Sequence, residues 1–158
     1  MLNNLSGLYS LPLSKFFNST NEEKIKSFVE NKKNILICGA DGVGKLTLLN
    51  SLSFYIPIEC REKRTSNKEL FVNNTLSFIN QSGSFCKGSI TTIFSENDDI
   101  DRVFKRLYVN SLMGGGFSDR PFTDFIKLAS RSIDVIVFLS IKKNSLISSI
   151  IEIDNNDL

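Results

Sequence analysis

Apolar residues occur in short continuous runs and at helical spacing, and the first half of the chain alternates between the two patterns. Ile35-Leu36-Ile37-Cys38 is a continuous apolar run that favours a strand buried on both faces. A glycine-rich turn over 39–44 follows it, and helical spacing over 45–54 ends before Pro57. Hydroxyl caps and first-turn carboxylates predict an earlier helix over 19–31. This part therefore reads helix, strand, turn, helix.

The second half of the chain continues the alternation of helices and strands. The pattern predicts a polar loop or edge over 59–69, β-like runs at 70–72 and 76–79, a strand over 89–94, a helix over 98–113 ended by Gly114-Gly115-Gly116, a helix over 123–130, a buried strand over 133–141 and an edge strand over 148–153. Strands that alternate with helices predict an α/β layer fold. The length of 158 residues predicts one domain over 19–154, with an N-terminal arm over 1–18 and a polar tail over 155–158.

Composition narrows the functional classes. The 19 Lys and Arg residues nearly balance the 17 Asp and Glu residues, so we expect no direct contact with nucleic acid. The chain has 0 His, which removes the commonest general base and metal ligand. The separated Cys38, Cys60 and Cys86 suggest reduced thiols and no metal site. Without a signal peptide or a membrane-spanning run, we expect a cytoplasmic protein that meets the membrane only through partners.

The turn after the first strand has the pattern of a phosphate-binding loop, G-x-x-x-x-G-K. Its glycines allow a tight turn whose amides point inward, and the following helix adds the positive end of its dipole. The lysine of such a loop reaches the β- and γ-phosphates of a nucleotide. A tight strand-to-helix turn without a ligand is the alternative interpretation. The loop consists of Gly39, Ala40, Asp41, Gly42, Val43, Gly44 and Lys45.

The two residues after the lysine decide which parts of such a site remain. Phosphate loops normally carry a Ser or Thr hydroxyl there that ligates Mg²⁺, and Leu46 has none. Thr47 lies about 100° further around the helix and does not replace it. In loops that read G-K-T-T the second hydroxyl contacts the α-phosphate, a role that Thr47 keeps. We therefore predict a nucleotide site over Gly39–Thr47 for ATP or ADP, with Mg²⁺ doubtful, no protein metal ligand and catalytic residues unknown.

The stretch NILICGADGVGKLTLLN (34–50), followed by Ile56-Pro57, resembles the phosphate loop of hexameric ATPases of type II and type IV secretion, pilus assembly and conjugation. Later segments are similar to the same family in the same order: Gly88–Phe94, Arg106-Leu107, Leu112–Gly115, Ser132–Val137 and Ile151–Ile153. The resemblance implies a RecA-like P-loop NTPase domain with three layers and a mostly parallel sheet. It also implies partners in a secretion or pilus machine, through self-association or an ATPase paralogue.

Several departures from the family concern hydrolysis. The family needs a Glu-Asp pair in a segment whose ends align with Glu59 and Glu69, and Thr65-Ser66 occupy the acidic positions. The family's histidine falls on Phe94. Between Leu70 and Gly88 no apolar run ends in an acid, so part of the Walker B region is expected to be missing. No acid is therefore expected near the γ-phosphate.

Three hypotheses on function follow. The first is an ATP-binding domain with little or no hydrolysis, and the second is a non-catalytic interaction subunit that packs with an active ATPase paralogue. The third is an active ATPase that recruits Glu96 or Asp98, although these residues and Asp99 are also typical of a helix cap. Five basic residues either contact a neighbour's nucleotide or form a solvated helix face: Arg102, Lys105, Arg106, Arg120 and Arg131.

Overall fold

The computed structural model describes residues 10–66, 68–82, 87–116 and 119–154. The strands are β1 (Ile35–Gly39), β2 (Ile90–Phe94), β3 (Val135–Lys142) and β4 (Ser145–Glu152). The helices are α1 (Ser19–Glu30), α2 (Lys45–Ser53), α3 (Arg61–Arg64), α4 (Thr75–Ser82), α5 (Ile100–Met113) and α6 (Phe122–Ser132). Short 3-10 helices cover Leu13–Lys15 and Ile58–Cys60. Among these ranges, no helix is long and apolar enough to cross a bilayer.

The strands form one mostly parallel sheet in the order β2-β1-β3-β4. Strand β1 is parallel to both neighbours, and Ile35 lies opposite Ile90 on one side and Val135 on the other. Strand β4 returns antiparallel to β3 after a tight turn whose central residues, Lys143 and Asn144, both have positive φ. The predicted α/β fold with a mostly parallel sheet is confirmed, and the carboxyl ends of β1, β2 and β3 meet at one edge.

Helices cover both faces of the sheet, because β1 is buried throughout and its side chains alternate between two apolar clusters. Ile35 and Ile37 belong to a first cluster that includes residues of α1 and α2. Leu36 and Cys38 belong to a second cluster with residues of α4, α5 and α6. The sheet therefore lies between two helical layers.

The amino-terminal segment contributes to the first cluster. Leu13, Phe16 and Phe17 are buried there. They lie in the part of the predicted arm over 1–18 that the structure describes. Ser10–Asn18 therefore adds to the core, while the predicted domain limits themselves remain a prediction.

Two predictions between β1 and β2 were wrong. The run over 76–79 is part of helix α4 and not a strand, and 70–72 does not form a strand either. Thr75 and Ile79, four residues apart, are both buried and lie on one side of α4, which packs against α5 and α6. The segment over 59–69, predicted as a polar loop or edge, contains α3, a single helical turn, and Thr65 forms an isolated parallel bridge with Ile90 at the edge of β2. Short apolar runs fit a strand and a buried helix equally well, and here the tertiary contacts favour the helix.

Two of the separated cysteines are described. Cys38 is a buried free thiol whose pKa is raised by burial, and Cys60 is a partly buried free thiol. Cys86 lies outside the described residues.

Asp99, from the acidic stretch before α5, has a structural role. It caps the start of α5, because its carboxylate accepts hydrogen bonds from the backbone N–H of Asp101 at 2.9 Å and of Arg102 at 3.4 Å.

Asn34 ties the beginnings of three strands together. Its side-chain Oδ1 accepts hydrogen bonds from the backbone N–H of Gly88 at 2.9 Å and of Ser89 at 3.0 Å, just before β2. Its own N–H donates to a carboxylate oxygen of Asp134, just before β3, at 2.7 Å. Because Asn34 is buried, water does not replace these contacts easily.

We expect Asn34→Ala to lower the free energy of unfolding by about 1–3 kcal/mol, because it leaves buried donors before β2 unpaired. Urea denaturation measures the loss. Asn31→Ala is the matched control, since that side chain is exposed and donates hydrogen bonds only to Ser27 of the adjoining helix α1. The control should change stability by less than about 0.5 kcal/mol. Equal losses in the two variants would contradict the role assigned to Asn34.

Candidate phosphate-binding site

Two positions in the loop after β1 require glycine, for different reasons. A Cβ on Gly39 would lie 2.6 Å from the carbonyl oxygen of Leu139 in β3, so a side chain there would disturb the sheet. Gly44 has φ of 98° at the N-cap of α2, a left-handed conformation that glycine adopts without strain. These two positions hold the turn tightly against the carboxyl end of the sheet and start the helix directly after it.

Lys45 carries a buried positive charge beneath this loop. The residue is 8% exposed, and its Nζ donates hydrogen bonds to the carbonyl oxygens of Gly39 at 2.7 Å and Ala40 at 3.0 Å. It also forms an ion pair with the carboxylate of Glu69 at 2.9 Å. The exposed carboxylate of Asp41 lies at 3.9 Å. The ammonium group is thus held at the carboxyl edge of the sheet, beside the start of α2.

A cavity of about 370 Å³ opens above Lys45, and we call it the loop cavity. Its lining consists of Ala40, Asp41, Gly42, Gly44, Lys45, Leu46, Thr47, Glu69 and Thr92. Of the nine predicted site residues, Gly39 and Val43 do not line it. Gly39 lies against β3, and Val43 packs on the first apolar cluster. The N-terminus of α2 and a buried ammonium group beside the same cavity together suit an anionic group such as a phosphate.

Glu69 is a site residue that motif reasoning missed. The expectation that no acid lies near the phosphate position is corrected by the 2.9 Å ion pair between Glu69 and Lys45. The only sequence signal was the alignment of Glu69 with the end of the family's acidic segment. Glu96 and Asp98, the acids considered as catalytic replacements, do not line the loop cavity, and Glu96 lines a different cavity beside Phe94.

Backbone pairing with the outer edge of β2 positions Glu69. The N–H of Ser66 donates to the carbonyl of Ile90 at 3.2 Å, and the N–H of Leu70 donates to that of Thr92 at 2.8 Å. The two donors, Ser66 and Leu70, are four positions apart, whereas their acceptors, Ile90 and Thr92, are two positions apart. A regular strand would match these spacings, so the segment does not pair with β2 as a regular strand. Asn74 holds the departing backbone, because its Nδ2 donates to the carbonyl of Glu69 at 2.9 Å.

The five basic residues considered as contacts to a neighbouring nucleotide are all exposed on α5, α6 and the segment before α6. Arg102 forms an ion pair with Asp99 at 3.5 Å. The guanidinium of Arg106 lies 4.7 Å from the ring centre of Phe94, and the Lys45 ammonium lies 5.6 Å from the same ring centre. Arg106 does not line the loop cavity and instead lines a separate cavity together with Phe94.

Leu46 occupies the position at which phosphate loops normally carry the Ser or Thr hydroxyl that ligates Mg²⁺. Leu46 is partly buried and packs against the first apolar cluster while it also lines the loop cavity. Thr47 lines the same cavity. In the described part of the chain, no three His, Cys, Asp or Glu side chains come together as metal ligands. The helix N-terminus and the buried ammonium group of Lys45 fit a phosphate group.

We expect Leu46→Thr to lower the free energy of unfolding by about 1 kcal/mol, because it removes apolar area from a half-buried position. Thr47→Val is the control, since it has nearly the same shape and makes no described side-chain hydrogen bond. The control should stay within about 0.5 kcal/mol of the original chain. Chemical denaturation compares the two variants, and an unchanged Leu46→Thr midpoint would show that Leu46 has no packing role.

Comparison with known proteins agrees with this architecture. No protein-family model matches the chain, and no curated protein matches its sequence. Among solved structures, the VirB11 ATPase from the Brucella suis type IV secretion system, in complex with sulphate, superposes with a TM-score of 0.73 at 18% identity. That match covers 84% of this chain and 52% of VirB11.

The Legionella pneumophila ATPase DotB superposes with a TM-score of 0.56 at 12% identity, over 94% of this chain and 52% of DotB. The chain thus spans about half the length of each of these proteins. At such low identity the likeness concerns the fold. The predicted resemblance to secretion ATPases is confirmed at that level: the chain shares the fold of part of the VirB11 and DotB ATPases.

Proposed function

We propose that the loop over 39–47 binds the phosphates of ATP or ADP, in a nucleotide-binding domain similar to those of secretion and pilus-assembly ATPases. The observation that carries this proposal is the buried Lys45 ammonium group at the floor of the loop cavity, next to the N-terminus of α2. Two neutral carbonyls and one carboxylate hold that ammonium. A phosphate oxygen is a stronger partner than a carbonyl and brings its own charge.

The other loop residues contact the remaining phosphate groups in the proposed complex. Backbone N–H groups of the loop and of the first turn of α2 donate to the phosphates, with Lys45 at the β- and γ-phosphates. The hydroxyl of Thr47, which lines the loop cavity, serves the α-phosphate. Bound Mg²⁺ would neutralise phosphate charge, and Leu46 offers it no ligand.

The direct test is a nucleotide titration by calorimetry, with and without Mg²⁺. We expect Lys45→Ala to weaken binding of ATP and ADP by about 10- to 100-fold, because one charge-assisted contact of about 1.5–3 kcal/mol is lost. Lys68→Ala is the control, since that lysine is exposed and does not line the loop cavity. Unchanged affinity in Lys45→Ala would refute nucleotide binding at this loop.

We further propose that hydrolysis is absent or very slow. Leu46 removes the Mg²⁺ hydroxyl, and Thr65-Ser66 replace the acids of the related ATPases. The second candidate, an active ATPase, is favoured by one observation, the Glu69 carboxylate beside Lys45. Once a phosphate occupies Lys45, that carboxylate is free to accept a proton from an attacking water.

Phosphate release from ATP separates the two candidates. We expect turnover far below about 1 s⁻¹, at the bottom of the usual enzyme range, and no rescue by Leu46→Thr alone. Turnover at ordinary ATPase rates that is lost in both Lys45→Ala and Glu69→Gln would establish the active ATPase. Turnover that persists in Lys45→Ala would instead indicate a contaminating enzyme.

Partners belong to the proposal as well. Several large apolar side chains are exposed, among them Phe54, Ile58, Phe71 and Met113. Such residues favour association, and we propose self-association or packing with an ATPase paralogue of a secretion or pilus machine. In this setting the domain is cytoplasmic and reaches the inner membrane through those partners. The same surface is what the interaction-subunit hypothesis requires, with or without bound nucleotide.

A further inference from the structure

A second cavity, of about 230 Å³, lies between α3, α4 and the outer edge of β2, and we call it the edge cavity. It shares no lining residue with the loop cavity. Its described lining contains two cations, several hydroxyl groups and an apolar floor, and no carboxylate. The members are Lys63, Arg64, Thr65, Ser66, Leu70, Asn74, Ser77, Phe78, Ser89, Ile90 and Thr91.

Arg64 is the buried charge of this cavity. It is 8% exposed, and its guanidinium donates to the carbonyls of Gly88 at 2.8 Å and Val29 at 2.7 Å. Both partners are neutral, and no described residue forms an ion pair with Arg64 or accepts a hydrogen bond from its Nη1. Burial lowers the pKa of the guanidinium because the charged form is poorly solvated. An anion would supply the missing countercharge.

Thr91 supplies an independent observation. The residue is 2% exposed and lines the edge cavity, and its hydroxyl has no hydrogen-bond partner among the described residues. Buried hydroxyl groups are nearly always paired, so an unpaired one at a cavity wall points to a partner that enters from outside. Lys63 adds an exposed cation on the same lining.

We propose that the edge cavity binds a small organic anion whose carboxylate or phosphate group contacts Arg64 and Thr91. The described part of the lining is rich in donors and contains no carboxylate, which favours an acceptor-rich negative group over a cation or a neutral sugar. Leu70, Phe78 and Ile90 provide apolar area for the body of the ligand. This inference does not depend on nucleotide binding at Lys45.

The test uses the full chain carrying Lys45→Ala, so that the loop cavity no longer offers its ammonium group. Benzoate, phenyl phosphate and the neutral benzyl alcohol are titrated separately into ¹⁵N-labelled protein. We expect at least one anion to shift the amide signals of Ser77, Ile90 and Thr91 saturably, and benzyl alcohol to leave them unchanged. The anion that binds more tightly identifies the preferred head group. Saturable shifts confined to the loop over 39–47 would overturn the proposal.

Two substitutions assign the contacts. Thr91→Val keeps the shape of the side chain and removes the unpaired hydroxyl, and we expect binding at least about fivefold weaker. Lys63→Gln should weaken binding as well, whereas the control Lys68→Gln, an exposed lysine outside the lining, should not. Should Thr91→Val fail to fold, the comparison of Lys63→Gln with Lys68→Gln still tests whether the anion binds at the edge cavity.

Three results would contradict the proposal. The first is the absence of any shift at the edge cavity up to about 10 mM of either anion, where a millimolar site would be mostly filled. The second is equal binding of benzyl alcohol, which would show that negative charge has no part. The third is equal affinity in Thr91→Val, Lys63→Gln and Lys68→Gln.

Discussion

The enclosure of β1 determines where every other part of the molecule lies. This strand pairs in parallel on both edges and buries both faces, so its first backbone groups to leave the sheet are those after Gly39. The chain must turn there within a few residues and return as α2 over the first apolar cluster. The turn places the N-terminus of α2 at the carboxyl edge of the sheet, and Lys45 donates hydrogen bonds back to the carbonyls of Gly39 and Ala40. The geometry of the candidate site follows from the pairing of a single strand.

The sequence predicted those parts of the fold in which one local pattern decides the outcome. The run 35–38, the glycine turn and the long amphipathic helix before Gly114 are of this kind. So is β2, which is β-branched from Ile90 to Ile93. Helix α4 could not be predicted in this way. Its apolar residues become a helical stripe only because α5 and α6 lie beneath Thr75 and Ile79, and this is information about distant parts of the chain.

Glu69 could not be placed for a related reason. Nothing near it in the sequence marks a loop that closes on Lys45, since the closure depends on irregular hydrogen bonds to β2 more than twenty positions away. The resemblance to secretion ATPases aligns Glu69 only with the end of an acidic segment, and the acidic positions themselves fall on Thr65-Ser66. A motif identifies the residues of one local segment, such as the loop over 39–47. A residue from another segment, such as Glu69, can be assigned to the site only when the pairing of the strands is known.

The irregular segment that ends at Leu70 lies between the two cavities. Glu69 and Thr92 line the loop cavity. Their neighbours in the chain, Leu70 and Thr91, line the edge cavity. Lys45 donates two of its three ammonium hydrogens to the carbonyls of Gly39 and Ala40, so a phosphate and the Glu69 carboxylate would compete for the third. In the proposed nucleotide complex the Glu69 carboxylate therefore loses a partner that now lies 2.9 Å away. Any shift of Glu69 acts on a backbone that Thr92 fixes through Leu70 and that Asn74 fixes through the Glu69 carbonyl. Leu70 and Asn74 both line the edge cavity, so the segment that carries Glu69 forms part of the wall of both cavities.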